Sequence, residues 1–226
     1  MSQSRPIADY GLLADCNGAA LVDRGGSIDW LCFPRYDSPA LFARILDPDA
    51  GHWALRPTGR FDSERRYLDG SLVLETVFKT PGGVVRLRDA LAFATGQRGH
   101  DLGFDAPHEL LRSVEGVSGS VDLEMELAPR PEYGLVAPLF RRTEDGGRTF
   151  GGPTQITVRA AVPVRIADAT MRGSFTLAEG ARGAQRAARH HPRRSLGRGI
   201  DRCCRWSVPR CPGGSVAGAP LRFVPR

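Results

Sequence analysis

A single lysine, Lys79, stands against thirty arginines. Codon bias in GC-rich DNA explains that skew, so no recognition chemistry is read into the arginines as such. No apolar run approaches the roughly 20 residues that a membrane-spanning helix needs. The opening, MSQSRPIADYG, has no apolar core of the secretory type, and a cytoplasmic location is the default expectation. The five cysteines are an odd number, which argues against a disulfide framework. Three of them fall in CCRWSVPRC, which lacks the paired C-x-x-C spacing of a tetrahedral zinc site. No metal or cofactor is therefore expected. Also missing are an internal repeat of 20–50 residues and any long stretch with helical periodicity.

The charge is unevenly placed. Residues 182–226 hold eleven arginines and one acid, Asp201, leaving 20 basic and 24 acidic residues before them. The body is mildly acidic and the last segment strongly basic. That segment, from ARGAQRAARHH onward, shows no apolar period and has few large aliphatics to bury. It reads as an Arg-rich disordered tail over 182–226, of the kind a reading-frame shift would produce; a genuine basic tail is the alternative. Nucleic-acid binding is not expected of it, since interleaved aromatics are limited to Trp206 and Phe223 and no binding module is visible.

Before Gly180 the chain reads as strands and turns. In SVDLEMEL, Val121, Leu123, Met125 and Leu127 alternate with Asp122, Glu124 and Glu126, the period of a half-buried antiparallel strand. TQITVRAAVPV repeats it. SLVLETVFKT and VVRLRDALAF flank Pro81-Gly82-Gly83, and GAALVD and SIDWLCF flank Arg24-Gly25-Gly26, which predicts two hairpins. The one helix predicted is short, Pro39 to Leu46, with Ser38 as N-cap and Pro39 at the first helical position. Many short strands with Gly- and Pro-rich turns give an all-β fold class, a large antiparallel β-sandwich.

SIDWLCFPRYDSPALFARIL, residues 27–46, packs aromatics, prolines and paired charges into twenty residues. Trp30 alternates with Ile28 and Cys32 and suits a core, or a flat face for a sugar ring. Arg35 and Asp37 flank Tyr36 in a proline-bounded turn, either as an ion pair fixing the loop or as the polar tip of a contact surface. Trp30, Arg35, Tyr36 and Asp37 are the candidate substrate-binding or domain-interface residues. Trp30, Phe33, Tyr36 and Phe42 are expected to form an exposed apolar patch. Asp9, Asp15 and Asp29 are read as turn caps rather than as catalytic carboxylates. His100 and His108 are read as surface residues.

The stretch Ile7 to Asp47, IADYGLLADCNGAALVDRGGSIDWLCFPRYDSPALFARILD, resembles the N-terminal region of bacterial glycoside hydrolase family 15, the trehalase- and glucoamylase-like enzymes. HELLRSVEGVSGSVDLEMELAPRPEYG, His108 to Gly134, and GSFTLAEG, Gly173 to Gly180, resemble later blocks of the same region, in the same order. The resemblance implies an N-terminal β-sandwich over 7–181. In the family an (α/α)6 barrel follows, holding two glutamates that act as general acid and general base in inverting hydrolysis of an α-glucoside. No position here matches those glutamates, so no catalytic residue is expected in this chain. The barrel is the expected partner. The alternatives are a free-standing carbohydrate-binding sandwich and a nucleic-acid or anionic-surface binder acting through the basic tail.

Overall fold

The computed structural model describes residues 5–97 and 99–189. Fifteen strands are formed among the described residues. In chain order they are β1 (Gly11–Ala14), β2 (Ala19–Val22), β3 (Ser27–Cys32), β4 (Ala40–Phe42), β5 (His52–Pro57), β6 (Asp62–Tyr67), β7 (Leu74–Thr80), β8 (Gly83–Leu91), β9 (Glu109–Ala128), β10 (Leu139–Thr143), β11 (Gly146–Phe150), β12 (Ile156–Ala160), β13 (Arg165–Ala167), β14 (Thr170–Ala178) and β15 (Arg182–Arg189). Helical structure among the described residues is limited to two single 3-10 turns, Ile7–Asp9 and Gly99–Asp101. No helix there is long and apolar enough to cross a membrane.

All pairings are antiparallel, and they are joined through β9, which spans 20 residues. Its first half pairs with β8 and β15. Its second half pairs with β5 and β14. The strand predicted over SVDLEMEL is the second half of one longer strand that changes phase. Leu110, Arg112 and Val114 are buried in the first half, and Val121, Leu123, Met125 and Leu127 in the second. Even positions give way to odd ones because the ladder with β8 slips between Val84 and Val85. A one-residue slip sends alternate side chains to the other face, and a bulge is how a strand makes it. The unpaired residue of the slip is Val117, and Gly119, at φ +66°, follows just beyond it, where a Cβ would run into the Gly82 carbonyl.

Side chains from both halves meet in a single core. Leu13, Ile28, Phe42, Trp53 and Leu55 come from strands on one side, and Phe78, Leu87, Leu110, Ile156 and Val158 from the other. This is the expected antiparallel sandwich. Removing one such aromatic, as in Phe78→Ala, should cost about 3–5 kcal/mol.

Both predicted hairpins form. β2 and β3 meet around Arg24-Gly25-Gly26, and β7 and β8 close on Thr80 and Gly83. Two expectations are corrected. The predicted helix 39–46 is instead β4 followed by a turn. Ala40, Leu41 and Phe42 are all buried, so no solvent face is left for a surface helix. Phe42 pairs with Leu31, and the Ser38 hydroxyl accepts from the Arg35 amide rather than capping a helix. Burial and strand pairing outweigh a local capping signal. The second correction concerns residues 182–189, placed by sequence in a structureless tail. They form β15, inserted between β9 and β12. Residues 190–226 lie outside the described residues, and with them the cysteine run, Trp206, Phe223 and most of the basic segment.

Candidate functional site

Strands set the frame, and five of the twelve large apolar residues exposed among the described residues project from four loops. These are residues 15–18, 33–39, 99–106 and 130–136. Local hydrogen bonds shape each one. Asp15 Oδ1 accepts from the amides of Asn17 and Gly18 at 3.0 and 2.7 Å, the turn cap expected of it. The loops are then tied together. The Asn17 side-chain amide donates to the Gly103 carbonyl, and the Tyr36 amide donates to the Asn17 carbonyl at 2.8 Å. The Tyr133 amide donates to Ala40 O at 3.4 Å, and the Arg130 amide to Leu41 O at 3.0 Å. The result is a continuous belt from Gly103 through Asn17 and Tyr36 to Tyr133.

Apolar side chains project from this belt into solvent. Phe104 and Leu135 are each 87% exposed, with Tyr36, Leu102 and Tyr133 also open. Large exposed apolar residues grouped along one tract mark a surface that something covers. The sequence located this surface only in part. Of the predicted patch, Tyr36 is exposed, but Phe33 and Phe42 are buried in the core, the correction here. Strand pairing through β3 and β4 turns them inward. Leu102, Phe104, Tyr133 and Leu135 carry the surface instead. Loop sequence has no period to reveal which side chains face out.

Trp30 is half-buried. It packs on a small cluster made by Cys32, Ala40, Ala43 and Ala50, with its ring 6.3 Å from Tyr133 and tilted by 44°. Ile28 joins the main core and Cys32 the small cluster, so β3 is covered on both faces. Burial pushes the Cys32 thiol above its ordinary range. Arg35 and Asp37 form an exposed ion pair, Nε to Oδ1 at 3.0 Å. It holds the turn that presents Tyr36, and exposed pairs of this sort contribute about 0–1 kcal/mol. Trp30 and Tyr36 thus lie along the belt, and Arg35 and Asp37 buttress it.

The charged groups that sequence reasoning could not find are buried. Asp29, read as a turn cap, instead accepts from Ser27 Oγ at 2.5 Å and Tyr10 Oη at 3.0 Å. Burial raises its carboxyl above the ordinary range, with Ser27 pulling the other way and neighbouring Asp23 adding to the rise. Asp9 sits at the surface in an ion pair with Arg24 at 3.1 Å. Asp89 and Arg112, both fully buried, pair at 2.8 Å. Arg112 also donates to the carbonyls of Trp53 and Gly26 at 2.6 Å each, which ties the two halves of the sandwich together. The Asp89 carboxyl is pushed up by burial and drawn back by Arg112. Glu75 accepts from Arg66 and Arg88 at 2.8 and 2.9 Å and lies 3.3 Å from Arg86. Burial opposes its ionisation, but Arg66, Arg88 and Arg86 outweigh that and hold the carboxyl below the usual range. Each of these carboxylates is matched to donors of its own, which is the chemistry of structural support. Only their partners in space distinguish them from the other acids of the body.

His108 sits edge-on to Phe33 with ring centroids 6.4 Å apart, so it is packed rather than free at the surface as expected. His100 lies exposed in the Gly99–Asp101 turn. Among the described residues no group of three or more His, Cys, Asp or Glu is placed to hold a metal ion.

Residues 2–174 match the family model described as "Trehalase-like, N-terminal". The chain is 44% identical over 156 residues to a protein of Mycolicibacterium smegmatis named trehalase, covering 65% of this chain and 23% of that protein. It is 44% identical over 138 residues to a trehalase of Mycobacterium tuberculosis, covering 57% of this chain and 20% of the relative. The match to "Trehalase 1" of Sulfolobus acidocaldarius is 34% identical over 137 residues, covering 60% of this chain and 22% of the relative. The chain therefore spans less than a quarter of the length of these relatives.

Proposed function

Because the chain belongs to the trehalase-like N-terminal family, we propose that it forms the β-sandwich portion of a cytoplasmic glycoside hydrolase of family 15 type whose substrate is trehalose. Catalysis then belongs to an (α/α)6 barrel, not to the sandwich. The observation that carries this reading is the match over residues 2–174, together with relatives that bear the name trehalase. Two features of the structure support it. The buried carboxylates are engaged with donors inside the sandwich, whereas inverting hydrolysis needs two carboxyls about 6.5–9.5 Å apart with a water between them. The belt from Gly103 to Tyr133 exposes apolar side chains, as a surface that packs on another domain would. The role of the sandwich is then to hold the barrel and shape the rim of its sugar site.

The test is direct. Purified full chain is incubated with trehalose, maltose or starch, and free glucose is measured. The expected result is no release above the uncatalysed background. Release that disappears in Asp29→Asn would overturn the proposal and make the sandwich itself the enzyme.

The tilted Trp30–Tyr133 pair favours a second reading, a free-standing carbohydrate-binding module, because flat aromatic faces suit pyranose rings. Oligosaccharide binding by the full chain, lost in Tyr133→Ser, would favour it.

A further inference from the structure

β15 is an unusual strand for its position. It lies between β9 and β12, paired on both edges. Central strands draw on β-branched and aromatic side chains for packing. The sequence of β15, RGAQRAAR, has neither. Its inward side chains are small or polar. Gly183 faces Val114, and Ala187 lies between Leu110 and Val158. Between them Gln185 is only 4% exposed, in register with Arg112 on one edge and Ala160 on the other. Neither the amide nitrogen nor the carbonyl oxygen of Gln185 has a hydrogen-bond partner. What fastens β15 is its backbone ladder and two outward ion pairs, Arg182 with Glu115 at 2.7 Å and Arg186 with Glu109. A ladder is blind to sequence, and an orphaned buried amide works against the strand that carries it.

We propose that the slot between β9 and β12 is a strand-exchange site, where β15 gives way to an extended segment of a partner polypeptide. The chemistry of the slot specifies that segment. Outward positions carry basic residues facing Glu109 and Glu115. The inward position beside Arg112 and Ala160 carries a β-branched apolar residue. A second copy of this chain is a poor occupant, because its own β15 brings the same orphaned amide and gains nothing by exchange. Strand addition of this kind takes its affinity from main-chain hydrogen bonds and its specificity from alternate side-chain positions. The site is separate from the loop belt and does not depend on the enzymatic reading.

Two fluorescent eight-residue peptides test it against the full chain. One has the sequence of residues 182–189, and the other carries Gln185→Val. Binding is followed by anisotropy and displacement by amide hydrogen exchange. The Val peptide should bind about tenfold tighter than the native one. Its binding should weaken in a Glu109→Gln, Glu115→Gln chain. Exchange in residues 182–189 should speed up while the β9 amides stay protected. Gln185→Val placed in the chain itself should raise Tm and abolish peptide binding. Equal or absent binding of the two peptides would overturn the proposal. So would an unchanged Tm, or a concentration-dependent dimer that the Val peptide cannot compete away.

Discussion

Replacing Arg112 with methionine should be among the most damaging single changes in the sandwich. Its side chain and that of Asp89 are both fully excluded from solvent. Methionine keeps most of the volume but removes every donor. Asp89 would then be a buried carboxylate without its counter-charge, a loss of about 3–5 kcal/mol. The carbonyls of Trp53 and Gly26 would lose donors at 2.6 Å. Each unsatisfied buried acceptor adds about 1–3 kcal/mol, less where the chain relaxes. The guanidinium also lies 5.4 Å from the centre of the Trp53 ring, and methionine has no charge to attract that ring's face. The combined cost of about 5 kcal/mol or more is comparable to the whole stability of many domains, which is about 5–15 kcal/mol. Urea unfolding followed by tryptophan fluorescence measures it. Asp89→Leu combined with Arg112→Met removes the stranded charge, so the pair should recover about 3 kcal/mol relative to Arg112→Met alone. A single variant within about 1 kcal/mol of the parent, or a double variant no better than the single one, would refute the reasoning.

Three other outcomes are expected. His52 is held down to about 4, first by burial and then by Arg44, so its neutral form favours the folded state. Its contribution is complete above the unfolded value of about 6.5 and is lost as pH falls toward 4, on the order of 3 kcal/mol in all; His52→Gln should flatten that part of the stability–pH curve, and an unchanged slope would reject the assignment. Glu75→Gln removes the carboxylate shared by Arg66, Arg86 and Arg88 and should cost about 2 kcal/mol at neutral pH. Because its carboxyl is held low, that difference should shrink as pH falls through the folded-state value, and equal penalties at neutral and strongly acid pH would count against the network. The belt should make the full chain self-associate, and Phe104→Ser with Leu135→Ser should reduce scattering without altering the unfolding midpoint; a parent chain that is already monodisperse would speak against a covered surface.

The parts of the fold legible in the sequence were those with strict alternation. Val121 to Leu127 announced their strand because one face is buried and the other wet. The hairpins at Gly25-Gly26 and Pro81-Gly82 announced themselves by turn chemistry. β4 did not, because Ala40, Leu41 and Phe42 are buried without alternation and the Ser-Pro pair before them imitates a helix start. β15 did not, because RGAQRAAR owes its place to its neighbours' open edges rather than to its own side chains. At the site, Tyr36 and the Arg35–Asp37 pair were legible from their proline-bounded turn. Phe104 and Leu135 were not, since exposure in a loop follows from where the loop is anchored, here through Asn17 and Arg130. The Asp89–Arg112 pair joins residues 23 apart in sequence on adjacent strands, and only the register of β8 on β9 brings them together.

The most direct test of the functional account is a chimera. The N-terminal segment of the Mycolicibacterium smegmatis trehalase is replaced by residues 2–181 of this chain, and trehalose hydrolysis is measured. If the sandwich is the family's N-terminal portion and the belt is its face toward the rest of the enzyme, the chimera releases glucose, and Phe104→Ser with Leu135→Ser weakens that activity. A folded chimera without activity, or one indifferent to both substitutions, would contradict the account.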